Sequence, residues 1–130
     1  MTRHEAREQA FSVLFEKSFD EEKTISDIIK NAGETELVKI NNFAESVLKV
    51  VEENSGEIDT LIKENTRGWD ISRLPRVSLA ALRLAIAEIK YIEDVPTAVS
   101  VNEAIEIVKK FGTDDDTSFV NGILRTVSEK

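Results

Sequence analysis

Apolar residues recur every three or four positions along almost the whole chain, and no stretch alternates strictly between apolar and polar. The pattern predicts helices and no strands. A first helix is expected over about 3–18, where Ala6, Ala10, Val13 and Leu14 form an inner face with Phe11 beside them. Thr2 and Glu5 have the spacing of a capping box at its start. A short helix follows over about 25–32, with Gly33 as its stop. Residues 36–54 read as the longest helix: Leu37, Ile40, Ala44, Val47 and Val51 line one stripe, Phe43, Leu48 and Val50 widen it, and Gly56 ends it. Ile58, Leu61 and Ile62 mark another short helix over about 57–65. Gly68-Trp69-Asp70 reads as a turn carrying one large apolar anchor. Residues 71–74 read as a helical turn leading to Pro75, which suits the first turn of a new helix.

The helix expected over about 75–91 is apolar almost all round, which marks it as central and buried. Beyond the loop Asp94-Val95-Pro96-Thr97, Ser100 and Glu103 repeat the capping-box spacing and open a helix that ends at Phe111-Gly112. The polar loop Thr113-Asp114-Asp115-Asp116 leads into a last helix holding Phe119, Val120, Ile123, Leu124 and Val127, with Asp116 or Thr117 as its cap. The expectation is an all-α fold of about seven helices, arranged as two small antiparallel bundles sharing a core. The N-terminal bundle would cover about 1–66 and the C-terminal one about 67–130, with the Pro75 helix as the spine of the second.

Composition adds limits. At 130 residues and 41% hydrophobic, the chain can bury a core, and its 5 Gly and 2 Pro leave helices unbroken. No apolar run is long enough for a bilayer, and the N-terminus has no apolar signal core, so a cytoplasmic protein without membrane contact is expected. The absence of Cys excludes disulfides and thiolate metal sites. The lone His4 cannot build a multi-His metal site. There is no glycine-rich phosphate loop and no nucleophile elbow, and Asp114-Asp115-Asp116 lacks the alternating spacing of a calcium loop. Neither an enzyme nor a cofactor or metal is expected. The net charge of −8 argues against nucleic-acid binding by bulk attraction, so any RNA contact must be a local patch aided by a partner.

One constellation fits such a patch. Lys109, Lys110 and Phe111 end one helix, and Phe119, Asn121 and Arg125 begin the next across a short loop. Rings beside cations can stack on unpaired bases while the cations meet phosphates. The alternative is that both rings are core residues, the commoner fate of aromatics at helical spacing.

The ordered set Leu82-Arg83-Leu84-Ala85, Glu88, Val95-Pro96, Val101-Asn102-Glu103-Ala104-Ile105-Glu106, Lys110-Phe111-Gly112 and Phe119-Val120-Asn121-Gly122-Ile123-Leu124 resembles the C-terminal half of the NusB family. Arg3, Ala6-Arg7-Glu8 and Ala10 resemble that family's arginine-containing first helix, and Trp69 ahead of Arg73-Leu74 fits as well. The resemblance spans the chain and is strongest from Trp69 onward. It implies an all-helical factor of transcription antitermination that binds the boxA element of ribosomal RNA transcripts together with the ribosomal protein NusE. Other Nus factors and RNA polymerase would be reached indirectly. By matching position, Arg3, His4 and Arg7 would meet phosphates, and Phe111, Asp115 and Phe119 would face RNA with Lys109 close by. Phe15 and Ser78 would touch the ribosomal protein. Arg83 would be either RNA-facing or a structural partner for Glu88 or Glu103, with the structural role preferred.

Departures from the family pattern are Glu5 in place of a base, Ser118 for Lys, Asp116 for Ser, Ser78 for an acidic residue and Ala87 for Tyr. They imply weak RNA binding without the partner. Two other readings stand beside this one: an RNA-targeting module like those of ribosomal RNA cytosine methyltransferases, and a self-associating helical protein with no RNA role. Relatives include monomers and homodimers, and either state is compatible with the sequence.

Overall fold

The first helix, α1 (Arg3–Phe19), starts at the expected capping box. The Thr2 hydroxyl accepts the Glu5 N–H at 3.0 Å, and the Glu5 carboxylate accepts the Thr2 N–H at 2.9 Å. This computed structural model describes residues 1–35 and 40–129, with 32–35 described by backbone alone. Helix α2 (Ile25–Thr35) continues through Gly33, so that glycine is not the stop the sequence suggested. Helix α3 (Asn42–Glu53) begins later than expected, because the Asn41 side chain caps it by accepting the Phe43 N–H at 2.8 Å. Leu37, read as part of its inner stripe, lies outside the described residues, and Ile40 precedes the helix. Helix α4 (Ser55–Glu64) follows after the single residue Asn54, and Gly56 lies inside it rather than ending α3.

The waist, the connection between α4 and the helix that follows Pro75, turns on Arg67 (φ 60°) and Gly68 (φ 83°), two consecutive left-handed residues. Glycine adopts that conformation freely; arginine does so only under constraint from its surroundings. The residues buried on either side of this turn are Thr66 and Leu74, and Trp69 is left 56% exposed. Trp69 is therefore not the apolar anchor read from the sequence. A 3₁₀ turn (Ile71–Arg73), capped by Asp70 on the Ser72 N–H, delivers the chain to Pro75 as expected.

Helix α5 (Arg76–Tyr91) is buried at every position from Ser78 to Glu88 and packs against α1, α3, α4, α6 and α7. Helix α6 (Thr97–Phe111) starts three residues before the proposed Ser100 cap. Ser100 is buried instead and donates to Glu88 Oε1 at 3.1 Å. Helix α7 (Asp114–Ser128) is capped by Thr113, with Asp116 completing the box, so the cap lies three residues earlier than Asp116 itself. The bend between α6 and α7 leaves no room at Gly112, where a Cβ would sit 2.8 Å from Asp116 Oδ2 and 3.0 Å from Val77 Cγ1.

Among the described residues, all regular structure is helical: seven α-helices and one 3₁₀ turn. Buried apolar side chains from Ala6 to Val127 form one continuous cluster. Leu84 sits in it at 1% exposure. Leu84→Ala should leave a cavity and cost about 2–5 kcal/mol in urea denaturation. A loss below about half a kcal/mol would contradict the central burial of α5.

Candidate nucleic-acid interface

Helices α1 and α6 meet side by side, and three contacts set their register. His4 lies between Glu8 and Glu103. Lys110 Nζ donates to Glu8 at 3.0 Å. The Phe111 ring stacks on Phe11 with centroids 5.3 Å apart and 20° between planes. The N-terminal helix and the end of α6, distant in sequence, thus share one face.

At the start of α1 Arg3 is exposed, its guanidinium 4.0 Å from the centre of the Phe43 ring of α3. It can stack and still present N–H donors outward. Arg7 is different. Its side chain is 3% exposed and forms a buried pair with Glu88, Nε to both carboxylate oxygens at 3.0 Å and NH2 to Oε1 at 2.8 Å. A guanidinium spent on a buried carboxylate is not available to a phosphate, so the assignment of Arg7 to RNA is corrected to a structural one. A sequence signal existed. Arg7 steps by three and four residues to the inward Ala10, Phe11 and Leu14, and Glu88 is the one acidic residue of the apolar α5.

His4 has acidic neighbours on both sides. Its Nδ1 engages Glu103, and its Nε2 engages Glu8 at 3.0 Å. The hydrogen bond to Glu103 is the chief cause of a pKa raised above the usual histidine value, and it prevails over the lowering effect of burial.

The α6–α7 corner carries the remaining residues of the patch. Phe111 is 46% exposed with Lys110 Nζ 5.2 Å from its ring centre. Lys109 is exposed and only loosely paired, 3.8 Å from Glu106. Asp115 is exposed on the first turn of α7, whereas Phe119 is half-buried against the core. Phe111 is thus the more exposed of the two rings, and Phe119 the more enclosed.

Of the two residues assigned to a protein partner, Phe15 is half-buried within an aromatic row. It lies 5.9 Å from Phe11 and 5.0 Å from Phe19, centroid to centroid. Ser78 is fully buried, at 0% exposure, and donates to Asp116 Oδ1 at 2.5 Å. It cannot touch a partner on the surface, and its assignment is corrected to fixing the α7 cap. Burial tends to raise the pKa of Asp116, but the hydrogen bonds from Ser78 and Thr113 outweigh it and hold the carboxyl below its usual range. Arg83 is structural, as preferred, but its partners are Asp59 and Glu21 rather than Glu88 or Glu103. The sequence did not single out exposed Phe19, over whose ring Arg76 lies at 4.5 Å. Among the described residues, no group of acidic or histidine side chains is arranged to hold a metal ion, and no helix is long and apolar enough to cross a membrane.

An exposed ring with flanking cations on an all-helical scaffold is what a binding protein presents. Comparison with known proteins gives the family: the NusB family model matches residues 4–129, and the chain belongs to the NusB family. It is 38% identical over 128 residues to the transcription antitermination protein NusB of Clostridium novyi (strain NT), covering 95% of this chain and 96% of the relative. It superposes on T. maritima NusB with a TM-score of 0.86 at 29% identity, covering 100% of this chain and 92% of the other. It superposes also on a structure of the antitermination factors NusB and NusE in complex with dsRNA, with a TM-score of 0.83 at 26% identity, over 99% and 98% of the two chains. The family is one of transcription factors and not of enzymes.

Two predictions follow from this geometry. Arg7→Ala should leave Glu88 charged, buried and unpaired, and cost about 3–5 kcal/mol in urea denaturation. A cost below about 1 kcal/mol would mean that the pair is not sealed from water. His4 gives a pH dependence. Because its folded pKa is raised, its link to Glu103 stabilises fully below the unfolded value of about 6.5 and is lost as pH rises through the folded value. The melting temperature of the parent should exceed that of His4→Gln at about pH 6, and the two should converge by about pH 9. A gap that widens with pH would contradict the His4 clamp.

Proposed function

We propose that this chain is a transcription antitermination factor that binds boxA-type single-stranded RNA together with the ribosomal protein NusE, and so supports transcription of ribosomal RNA operons. It acts in the cytoplasm and reaches other Nus factors and RNA polymerase through that complex. The observation that carries this reading is half-exposed Phe111 at the α1–α6 seam, with Lys110 at its ring, Lys109 exposed two residues before it and Arg3 exposed at the start of α1. A flat ring with cations around it suits unpaired bases and their phosphates. Support also comes from the end-to-end likeness to a NusB solved with NusE and RNA. Arg3 and Lys109 serve phosphates; His4, read from the family as a phosphate contact, has both ring nitrogens engaged by Glu8 and Glu103 and steadies the α1–α6 contact instead. Phe111 supplies a stacking face, and Asp115 and Phe119 meet RNA around the corner. Phe15 belongs to the surface for NusE, extended by its neighbour Phe19.

The net charge of −8 repels RNA at long range, so a basic partner should raise affinity. Fluorescence anisotropy with labelled boxA-type RNA tests this with and without NusE. Phe111→Leu should lose about 1–3 kcal/mol of binding while keeping the salt dependence, since Leu retains volume but not the π-face. Arg3→Ala should instead flatten the salt slope by about one phosphate contact. Parent-like binding by both variants would overturn the assignment of RNA to this face.

A further inference from the structure

The exposed waist turn is not used by the RNA face described above. Trp69 stands beside a mostly apolar groove of about 860 Å³, bounded on one side by Arg67 and Trp69 and on the other by Asp115, Phe119, Gly122 and Ile123 of α7. The volume is in the range of small-ligand clefts and exceeds what one nucleobase needs. Asp115 and Phe119 also lie in the proposed RNA site, so the groove continues that surface around the α6–α7 corner.

We propose that this groove is a slot for one unpaired base of the bound RNA, stacked between the Trp69 and Phe119 walls, with a backbone phosphate at Arg67. The inference rests on the RNA-binding reading and assigns it a second stacking position. Local charge favours it. Residues 63–76 carry Lys63, Arg67, Arg73 and Arg76 against Glu64 and Asp70, the reverse of the balance in a chain of net charge −8. Lys63, Arg67 and Arg73 are exposed, and none stands within ion-pair distance of a carboxylate among the described residues. Asp115 is the wrong charge for a phosphate but the right acceptor for an exocyclic amino group on a base edge. The left-handed backbone at Arg67 is a costly conformation in a residue without glycine's freedom, and it sits at the groove's mouth. Gly122 leaves the opposite wall open: a Cβ there would meet nothing within 4 Å.

That last feature supplies a clean test. Gly122→Leu projects a side chain into the slot, and helix propensity favours Leu over Gly, so the fold should keep or gain stability. Trp69→Leu removes the other wall from an exposed position. The probe is fluorescein-labelled single-stranded boxA-type RNA, bound by the full chain with NusE and read by anisotropy. A parallel series of RNAs carries a single abasic site at each position in turn. Each variant, shown folded by thermal melting, should bind about 5- to 150-fold more weakly than the parent, the range of one lost base stack. One abasic position should weaken the parent by a similar factor and leave Gly122→Leu unchanged. Parent binding matched by both variants would overturn the slot while leaving the RNA reading intact. Absence of RNA binding by the parent would overturn both. Reduced capture of NusE by Gly122→Leu, with RNA affinity of the preformed complex unchanged, would make the groove a protein-docking surface and overturn the proposal.

Discussion

A carboxylate buried near the end of an apolar helix must be neutralised or the helix cannot stay buried, and in this protein Arg7 meets that demand for Glu88. The cost of desolvating both ions is offset only by close geometry. Glu88 accepts from Arg7 through Nε and NH2 and from Ser100 Oγ, so three helices converge on one side chain. The pair holds α1 in a fixed position against α5, while Ser100 holds α6. His4 can meet Glu103, and Phe11 can meet Phe111, because this contact fixes α1 and α6 on α5. What recognises ligand on the surface therefore depends on a charge that never reaches the surface.

The same device is used three times along α5. Ser78 ties the start of α7 through Asp116, Arg83 ties α4 and the segment after α1 through Asp59 and Glu21, and Glu88 ties α1 and α6. The three are spaced by five residues, a rotation of roughly 140° about the helix axis at each step, so each points to a different neighbour. Burial of the surrounding Leu, Ile and Ala side chains supplies most of the driving force, but it is non-directional. The polar contacts restrict how each neighbour can slide or rotate on α5. The Ser78–Asp116–Thr113 contacts matter most for the interface, because they set the corner from which Asp115 and Phe119 project.

Helix number and type, the buried α5 and the capping box at Thr2 were legible in the sequence, because amphipathic spacing and i, i+3 pairing are local. Where local patterns misled, tertiary contacts were the cause. Ser100 and Glu103 have capping-box spacing, but any helix places residues three apart on one side, and here they bind Glu88 and His4 instead. Trp69 read as an anchor because it is large and apolar, yet the left-handed Arg67–Gly68 turn leaves it in solvent. In the site, Arg3, Lys109, Phe111 and Asp115 are exposed, as a binding role requires. Arg7 and Ser78, carried over by position from the family, turned out to be internal. Alignment by position preserves a residue's place on its helix but not the partner that claims its side chain.

In the proposed RNA complex the first helix contributes Arg3 but not Arg7, and Arg7 serves only to seat that helix. The most direct measurement is the salt dependence of RNA affinity for the double variant Arg7→Met/Glu88→Leu in complex with NusE. Replacing both ions with apolar side chains of similar size leaves no unpaired buried charge, so the variant should fold. Affinity and salt slope equal to the parent's are expected. A slope shallower by about one phosphate contact, with the fold intact, would place Arg7 on the RNA and contradict the account.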